Sequence, residues 1–210
     1  MEKQRALPNE LKRKLTERQI GIMGEEQYRK TAVLIPLLHT DEGLSVLFTK
    51  RASTLRRQAG DISFPGGHRE PADESNWMTA RRETAEELQI PAHSIEYAAD
   101  LDWVVHHARM IVYPFVGYLT APSEIRPNPQ EVAEVFTVGL DRLLNSQPLI
   151  HEVGMRIEPG PDFPYDLIEN GKQYDWRMSK IPQLFYQIDG RVIWGLTARI
   201  LSHFLRLVRD

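Results

Sequence analysis

The chain has 210 residues, 41% of them apolar and 26% charged, which is enough apolar content for one packed domain with extensions. A formal net charge of −3 argues against a nucleic-acid binder, and the absence of cysteine excludes a disulfide framework, a zinc-thiolate site and a thiol nucleophile. No apolar run approaches the roughly 20 residues that span a bilayer, and the first eight residues lack the apolar core of a secretory leader, so a cytoplasmic protein with no membrane partner is expected.

In chain order, residues 9–30 are charged, with Leu11, Leu15, Ile20 and Met23 only loosely periodic. They read as one or two helices leading into a main domain over 30–210, with residues 1–29 as an N-terminal helical extension. Residues 31–38 form a short continuous apolar run, which suits a buried strand better than a helix. Pro36 within it predicts an edge position or a bulge. Asp41-Glu42-Gly43 makes a turn, and residues 44–50 return as the second strand of a hairpin. Arg51, Arg56 and Arg57 then cluster on a short segment. They form either a solvated basic loop or, beside a phosphate site, a clamp that grips oxygens with bidentate forks.

The next stretch carries the chemistry. Gly60-Asp61-Ile62-Ser63-Phe64-Pro65-Gly66-Gly67 delivers the backbone through a glycine-rich turn toward a helix bearing Glu83, Glu86 and Glu87. At 3.6 residues per turn, Glu86 and Glu87 lie three and four positions from Glu83, so the three carboxylates share a face. Trp77, Ala80, Thr84 and Leu88 form a packing face beside it, and Asp73 or Ser75 caps the helix start. Arg82 precedes Glu86 by four residues and can pair with it. A bare acidic triplet describes a solvated helix face as well as a cation site. The Pro-Gly-Gly turn and the Arg82-Glu83 pair favour the cation, and oxygen-only ligands suit Mg2+ or Mn2+.

Past this helix, residues 95–105 and 110–119 read as β-rich segments. Between them, His106-His107 is a tempting metal or acid-base pair, but neighbours on a strand point to opposite faces. Trp103 reads as core, or as a stacking surface for a base. Asn128-Pro129-Gln130 is a turn before residues 131–140, whose valines keep no single period. Residues 145–190, rich in Pro, Gly and Asp, suggest short strands and loops. In residues 191–208, Ile193, Leu196, Ile200, Phe204 and Leu207 recur at helical steps and predict an amphipathic helix.

Gly67, Asp73 or Glu74, Arg82, Glu83, Glu86 and Glu87 together resemble the box of the Nudix hydrolases, a glycine and an acid followed by R-E-x-x-E-E-x-G. One extra residue separates Gly67 from Arg82, and Gln89 stands where glycine is usual, at the left-handed helix end. Just upstream, Leu47-Phe48-Thr49-Lys50-Arg51-Ala52, Arg56, Gly60 and Phe64-Pro65-Gly66-Gly67 resemble the signature of the coenzyme A pyrophosphatases within that family, where the extra residue is familiar; Phe48 replaces the usual leucine. Tyr113-Pro114-Phe115-Val116-Gly117 and Trp194-Gly195-Leu196-Thr197-Ala198-Arg199 extend the likeness over residues 30–208.

The resemblance implies an α/β (α+β) Nudix fold, a mixed sheet between helices with the box as loop-helix-loop. It makes residues 131–140 a loop and strand leading to a short helix near 141–144. It implies metal-assisted hydrolysis of the diphosphate of coenzyme A or acyl-CoA to 4'-phosphopantetheine and adenosine 3',5'-bisphosphate. Glu83, Glu86, Glu87 and the Gly66 carbonyl would hold Mg2+ or Mn2+, Arg82 would orient the acidic face, and Arg51, Arg56 and Gly67 would meet substrate. Glu131 and Glu134 lie where several family members place a further carboxylate, and either serves equally as a surface acid. A homodimer is also implied. Two other readings stay open: hydrolysis of another diphosphate such as ADP-ribose or a nucleotide sugar, and a ligand-binding module without catalysis, against which the intact Glu83, Glu86 and Glu87 speak.

Overall fold

The computed structural model describes residues 8–209. Helix α1 (Asn9–Thr16) precedes strands β1 (Arg29–Thr40), β2 (Gly43–Arg51), β3 (Ile62–Ser63) and β4 (Gly66–His68). Helix α2 (Asn76–Leu88) follows, then β5 (Ile95–Asp100), β6 (Val104–His106), β7 (Met110–Leu119) and β8 (Val132–Gly139). Helix α3 (Leu140–Leu144), strands β9 (Leu149–Met155), β10 (Ser179–Ile188) and β11 (Arg191–Trp194), and helix α4 (Gly195–Leu207) come last.

Strands β1 to β8 form one mixed sheet of eight, and β9 to β11 form a smaller antiparallel sheet of three. β1 runs parallel to β7 and antiparallel to β2 and β4, while β8 closes on the other side of β2. Alternation along the central strands feeds two cores. Ala32, Leu34, Leu47, Ile111 and Phe115 bury one sheet face against Ala80 and Leu88 of α2. Ile35, Val46, Phe48 and Val112 bury the other against Ile200, Leu201, Phe204 and Leu205 of α4. The expected mixed sheet between helices is therefore present. Helix α1 buries none of its side chains.

The hairpin of β1 and β2 opens as it leaves its turn. The two strands pair only from Leu37 to Thr40, and then β4 takes over β1 while β3 takes over β2. The glycine-rich turn is thus wedged between two strands, which is what brings it to the centre of the sheet. Pro36 sits at this change of partner. Contrary to the edge position expected for it, β1 is flanked on both sides. Leu34 donates its N–H to Pro65 O on the β4 side. Pro36, two residues on, would aim its missing N–H the same way, into the interval between β4 and β2 where no strand needs it.

Other expectations change as well. Residues 191–194 are strand rather than helix, because Arg191 to Trp194 pair with β10 and the helix starts only at Gly195. Trp103 is 60% exposed, not core, and meets Tyr113 edge-on. Residues 132–139, by contrast, form the strand that the resemblance implied despite their mixed pattern, because β2 pairs with them along most of their length, with a register shift between Lys50 and Arg51.

Candidate active site

Helix α2 begins with Ser75, whose Oγ accepts the Met78 N–H at 3.2 Å. Asp73 does a different job. Its buried carboxylate accepts the Glu70 N–H and the Thr79 hydroxyl, each at 2.9 Å, and receives Arg82 as a fork, with Nε and Nη2 both at 3.0 Å. Asp73, not Glu74, therefore fills the early acidic position. The Arg82 hydrogen bonds hold the Asp73 carboxyl well below the usual carboxylate range, and Asp73 in turn raises Arg82. Arg82 also donates to His68 O at 3.1 Å and pairs with Glu83 at 3.1 Å and Glu86 at 3.3 Å. One guanidinium thus ties the turn, the loop acid and two helix acids together, which is more than the single pair with Glu86 that spacing suggests.

Two glycines let the turn come this close. Gly66 has φ +150°, and a Cβ there would lie 2.3 Å from Ala32 O and 2.7 Å from Val33 Cα. At Gly67 a Cβ would sit 2.3 Å from the Glu83 carboxyl carbon. The Glu83 carboxylate accordingly rests against the bare Cα of Gly67.

The three helix acids differ in surroundings. Glu86 is exposed, Glu83 is half-buried, and Glu87 is only 8% exposed. Burial, then the nearby Glu131 and Glu83 carboxylates, push Glu87 up to about 8, with Arg51 and the Gly66 backbone N–H opposing. Burial also raises Glu83, against the pull of Arg82. Glu87 Oε2 is buried without a hydrogen-bond partner.

Glu131 reaches this group through tertiary contacts. Asn128 N donates to Glu87 O at 2.8 Å and Arg126 N to Leu88 O at 2.9 Å, docking the loop on the end of α2. Ala52 N donates to Glu131 O at 2.8 Å, which fixes the loop to the end of β2. The sequence signals for this placement are the Asn128-Pro129-Gln130 turn just before it and the resemblance, which offered Glu131 and Glu134 alike as a further carboxylate. Glu134 goes elsewhere: it pairs with Arg191, which lies 4.4 Å from the centroid of the Phe136 ring.

Arg51 stands near Glu87, with its Nε buried and unpartnered, whereas Arg56 is on the exposed segment that follows. His106 and His107 do not splay as strand neighbours would. Their rings lie 4.0 Å apart where β6 gives way to a turn. Burial, His107 and Arg199 lower His106; Arg199 belongs to α4, on the opposite sheet face from α2.

Among the described residues, no three acid or imidazole groups already stand gathered as a coordination sphere. The donor chemistry nevertheless fits a hard divalent cation. Glu83 and Glu87 are desolvated together beside Glu131, and the unpartnered Glu87 oxygen would gain a charge-compensated contact.

Residues 28–156 match the model of the NUDIX domain, more than half of the chain. The chain belongs to the Nudix hydrolase family. This Nudix hydrolase is 31% identical over 181 residues to a protein of Photorhabdus laumondii described as the uncharacterized Nudix hydrolase NudL, covering 86% of each chain. It is 40% identical over 118 residues to the peroxisomal coenzyme A diphosphatase NUDT7 of Mus musculus, covering 56% of this chain and 50% of that protein. The match thus spans half the length of the mouse relative. Among solved structures it is similar to the Nudix hydrolase RenU of M. smegmatis, with 21% identity and a TM-score of 0.46 over 55% of this chain and 73% of that one. Membership classes this chain as a catalytic pyrophosphohydrolase of the Nudix type, a family that generally uses divalent metal ions. No helix among the described residues is long and apolar enough to cross a membrane.

Proposed function

We propose that this Nudix hydrolase cleaves the diphosphate of coenzyme A or acyl-CoA, yielding 4'-phosphopantetheine or its acyl form and adenosine 3',5'-bisphosphate. The observation that carries the reaction class is the buried, partnerless Glu87 oxygen beside Glu83 and Gly66. The choice of substrate is supported by the segment from Leu47 to Gly67 and by the name of the mouse relative. Hydrolysis of another nucleoside diphosphate derivative, such as ADP-ribose or a nucleotide sugar, is the second reading. The relatives matched over most of their length are described only as Nudix hydrolases, which favours it.

In this proposal Glu83, Glu86 and Glu87, with the Gly66 carbonyl, hold Mg2+ or Mn2+. Such an ion, when bound, offsets diphosphate charge, lowers the pKa of a bound water and stabilises the leaving phosphate. The chain's own contribution is positional. Asp73 fixes Arg82, and Arg82 fixes Glu83 and Glu86 at salt-bridge distance. Gly67 leaves room for the Glu83 carboxylate. Arg51, beside Glu87, meets a diphosphate oxygen, and Arg56 reaches substrate from the exposed segment.

The test is a panel of coenzyme A, an acyl-CoA, dephospho-coenzyme A, ADP-ribose and a nucleotide sugar, with products identified by mass spectrometry, with and without Mg2+ or Mn2+. The expected result is metal-dependent release of adenosine 3',5'-bisphosphate, with coenzyme A giving the highest kcat/KM. Faster turnover of ADP-ribose would overturn the coenzyme A reading and keep the Nudix chemistry. No turnover of any diphosphate would overturn both.

A further inference from the structure

Lys50 and Arg51 are neighbours near the end of β2, and successive strand residues project to opposite faces of a sheet. Arg51 acts on Glu87, on the α2 side. Lys50 instead lines a pocket of about 460 Å3 together with Asp61, Ile62, Phe185, Arg191 and Trp194. The size is that of a small-molecule site.

This pocket is joined to the carboxylates by the backbone. Arg51 N donates to Asp61 O at 2.9 Å, and Gly60 N donates to Arg51 O at 3.1 Å. The pocket therefore begins one hydrogen bond from the arginine that faces Glu87. Its aromatic wall is a cross-strand pair: Phe185 of β10 and Trp194 of β11 have rings parallel within 4° and centroids 6.0 Å apart. The indole is steadied by Asp61, whose Oδ1 accepts its N–H at 3.4 Å, yet Trp194 remains 44% exposed. Of the two cations, Arg191 is committed to Glu134 and to the Phe136 ring. Lys50 has no ion-pair partner among the described residues.

We propose that this pocket holds the nucleoside end of the substrate, with a purine base on the open face of Trp194 and a ribose phosphate on the Lys50 ammonium. The inference rests on the reading that this hydrolase cleaves a nucleoside-linked diphosphate. An exposed indole held flat by a neighbouring strand suits a planar ring, which a flexible chain with amides does not supply. A lysine without an ion-pair partner, lining the same pocket as that indole, suits a phosphate on the sugar.

Isothermal titration of the full chain with adenosine 3',5'-bisphosphate, in EDTA, tests the pocket apart from turnover. Trp194→Ala should weaken binding about tenfold, the scale of lost base stacking, while Trp194→Phe keeps most of the affinity. Lys50→Gln, an exposed change that leaves the fold alone, should weaken the bisphosphate about tenfold and adenosine 5'-monophosphate less than twofold. In turnover, Trp194→Ala should raise KM and change kcat less than twofold. Absence of binding by the parent chain at millimolar ligand, or parent-like affinity in both Trp194→Ala and Lys50→Gln, would overturn the assignment. Weakened binding in these variants without any coenzyme A turnover would support the pocket and defeat the substrate proposed above.

Discussion

The Glu83 carboxylate lies against the Cα of Gly67, so that a Cβ at Gly67 would fall 2.3 Å from its carboxyl carbon. The neighbouring Gly66 is constrained differently, by backbone at 2.3 Å and 2.7 Å. The two glycines should therefore fail in different ways. Gly67→Ala needs only the far end of a flexible side chain to move, so the protein should fold with stability changed by less than about 1 kcal/mol. The displaced carboxylate should cost about a hundredfold in turnover, as should Glu83→Gln. Gly66→Ala must push strand backbone aside and should lower stability by about 3 kcal/mol or more. Urea unfolding and kcat measured on both variants check the contrast; a stable, active Gly67→Ala would refute the placement of Glu83.

Glu87 makes the metal-free protein sensitive to pH. Its carboxyl titrates near 8 when folded, against 4.5 as an ordinary glutamate, so the folded state binds this proton more tightly. Stability in EDTA should then be highest at and below about pH 4.5 as far as this group is concerned, and should fall as pH rises toward 8, with a slope approaching about 1.4 kcal/mol per pH unit. Glu87→Gln should flatten that slope, and added Mg2+ should raise Tm more at pH 8 than at pH 6. Thermal melts across this range are the measurement, and identical slopes in both proteins would remove the claim.

Asp73 and Arg82 form a fork that holds the acidic face. Asp73→Asn should cost about 1–3 kcal/mol at pH 7, since a charge-assisted bond to a partly buried arginine is lost. The Asp73 carboxyl titrates below its ordinary 3.8, so its stabilisation is present above about pH 4 and fades as pH falls below it. The gap between parent and variant should narrow accordingly in acid. Arg82→Lys should impair turnover more than Arg81→Lys, because Arg81 contacts Met78 Sδ and no carboxylate of the site.

Gln89 ends α2 at φ 51°, ψ 47°, in the left-handed region. Gln89→Gly should raise stability by up to about 1 kcal/mol and leave turnover unchanged. A loss of stability in chemical denaturation would show that the Gln89 side chain contributes contacts outweighing its backbone strain.

The features legible without tertiary structure are those governed by short spacing. Ser75 caps α2, and Ala80, Thr84 and Leu88 are buried, each as local chemistry requires, while the left-handed helix end at Gln89 follows from the resemblance, which has glycine there. The resemblance carried the mixed sheet and the strand and short helix at residues 132–144, which their own periodicity left undecided. Trp103 misled because apolar size predicts burial only where another layer is present to cover it, and just ahead of β6 the residue is left 60% exposed. Pro36 misled because a missing N–H can be absorbed wherever a strand changes partners, not only at an edge.

By itself, then, the sequence determined which side chains share the helix face, since residues three and four apart must meet whatever surrounds them. It left Asp73 and Glu74 equivalent, because adjacent acids in a loop look alike until one is turned inward. Only the tertiary structure decided between them, by closing the Arg82 fork on Asp73. It also decided that Glu131, forty-four residues beyond Glu87, stands beside it while Glu134 does not: backbone hydrogen bonds from Asn128 to Glu87 and from Ala52 to Glu131 set that approach. Contacts of this kind depend on where the strands and loops dock, and no local period encodes the docking.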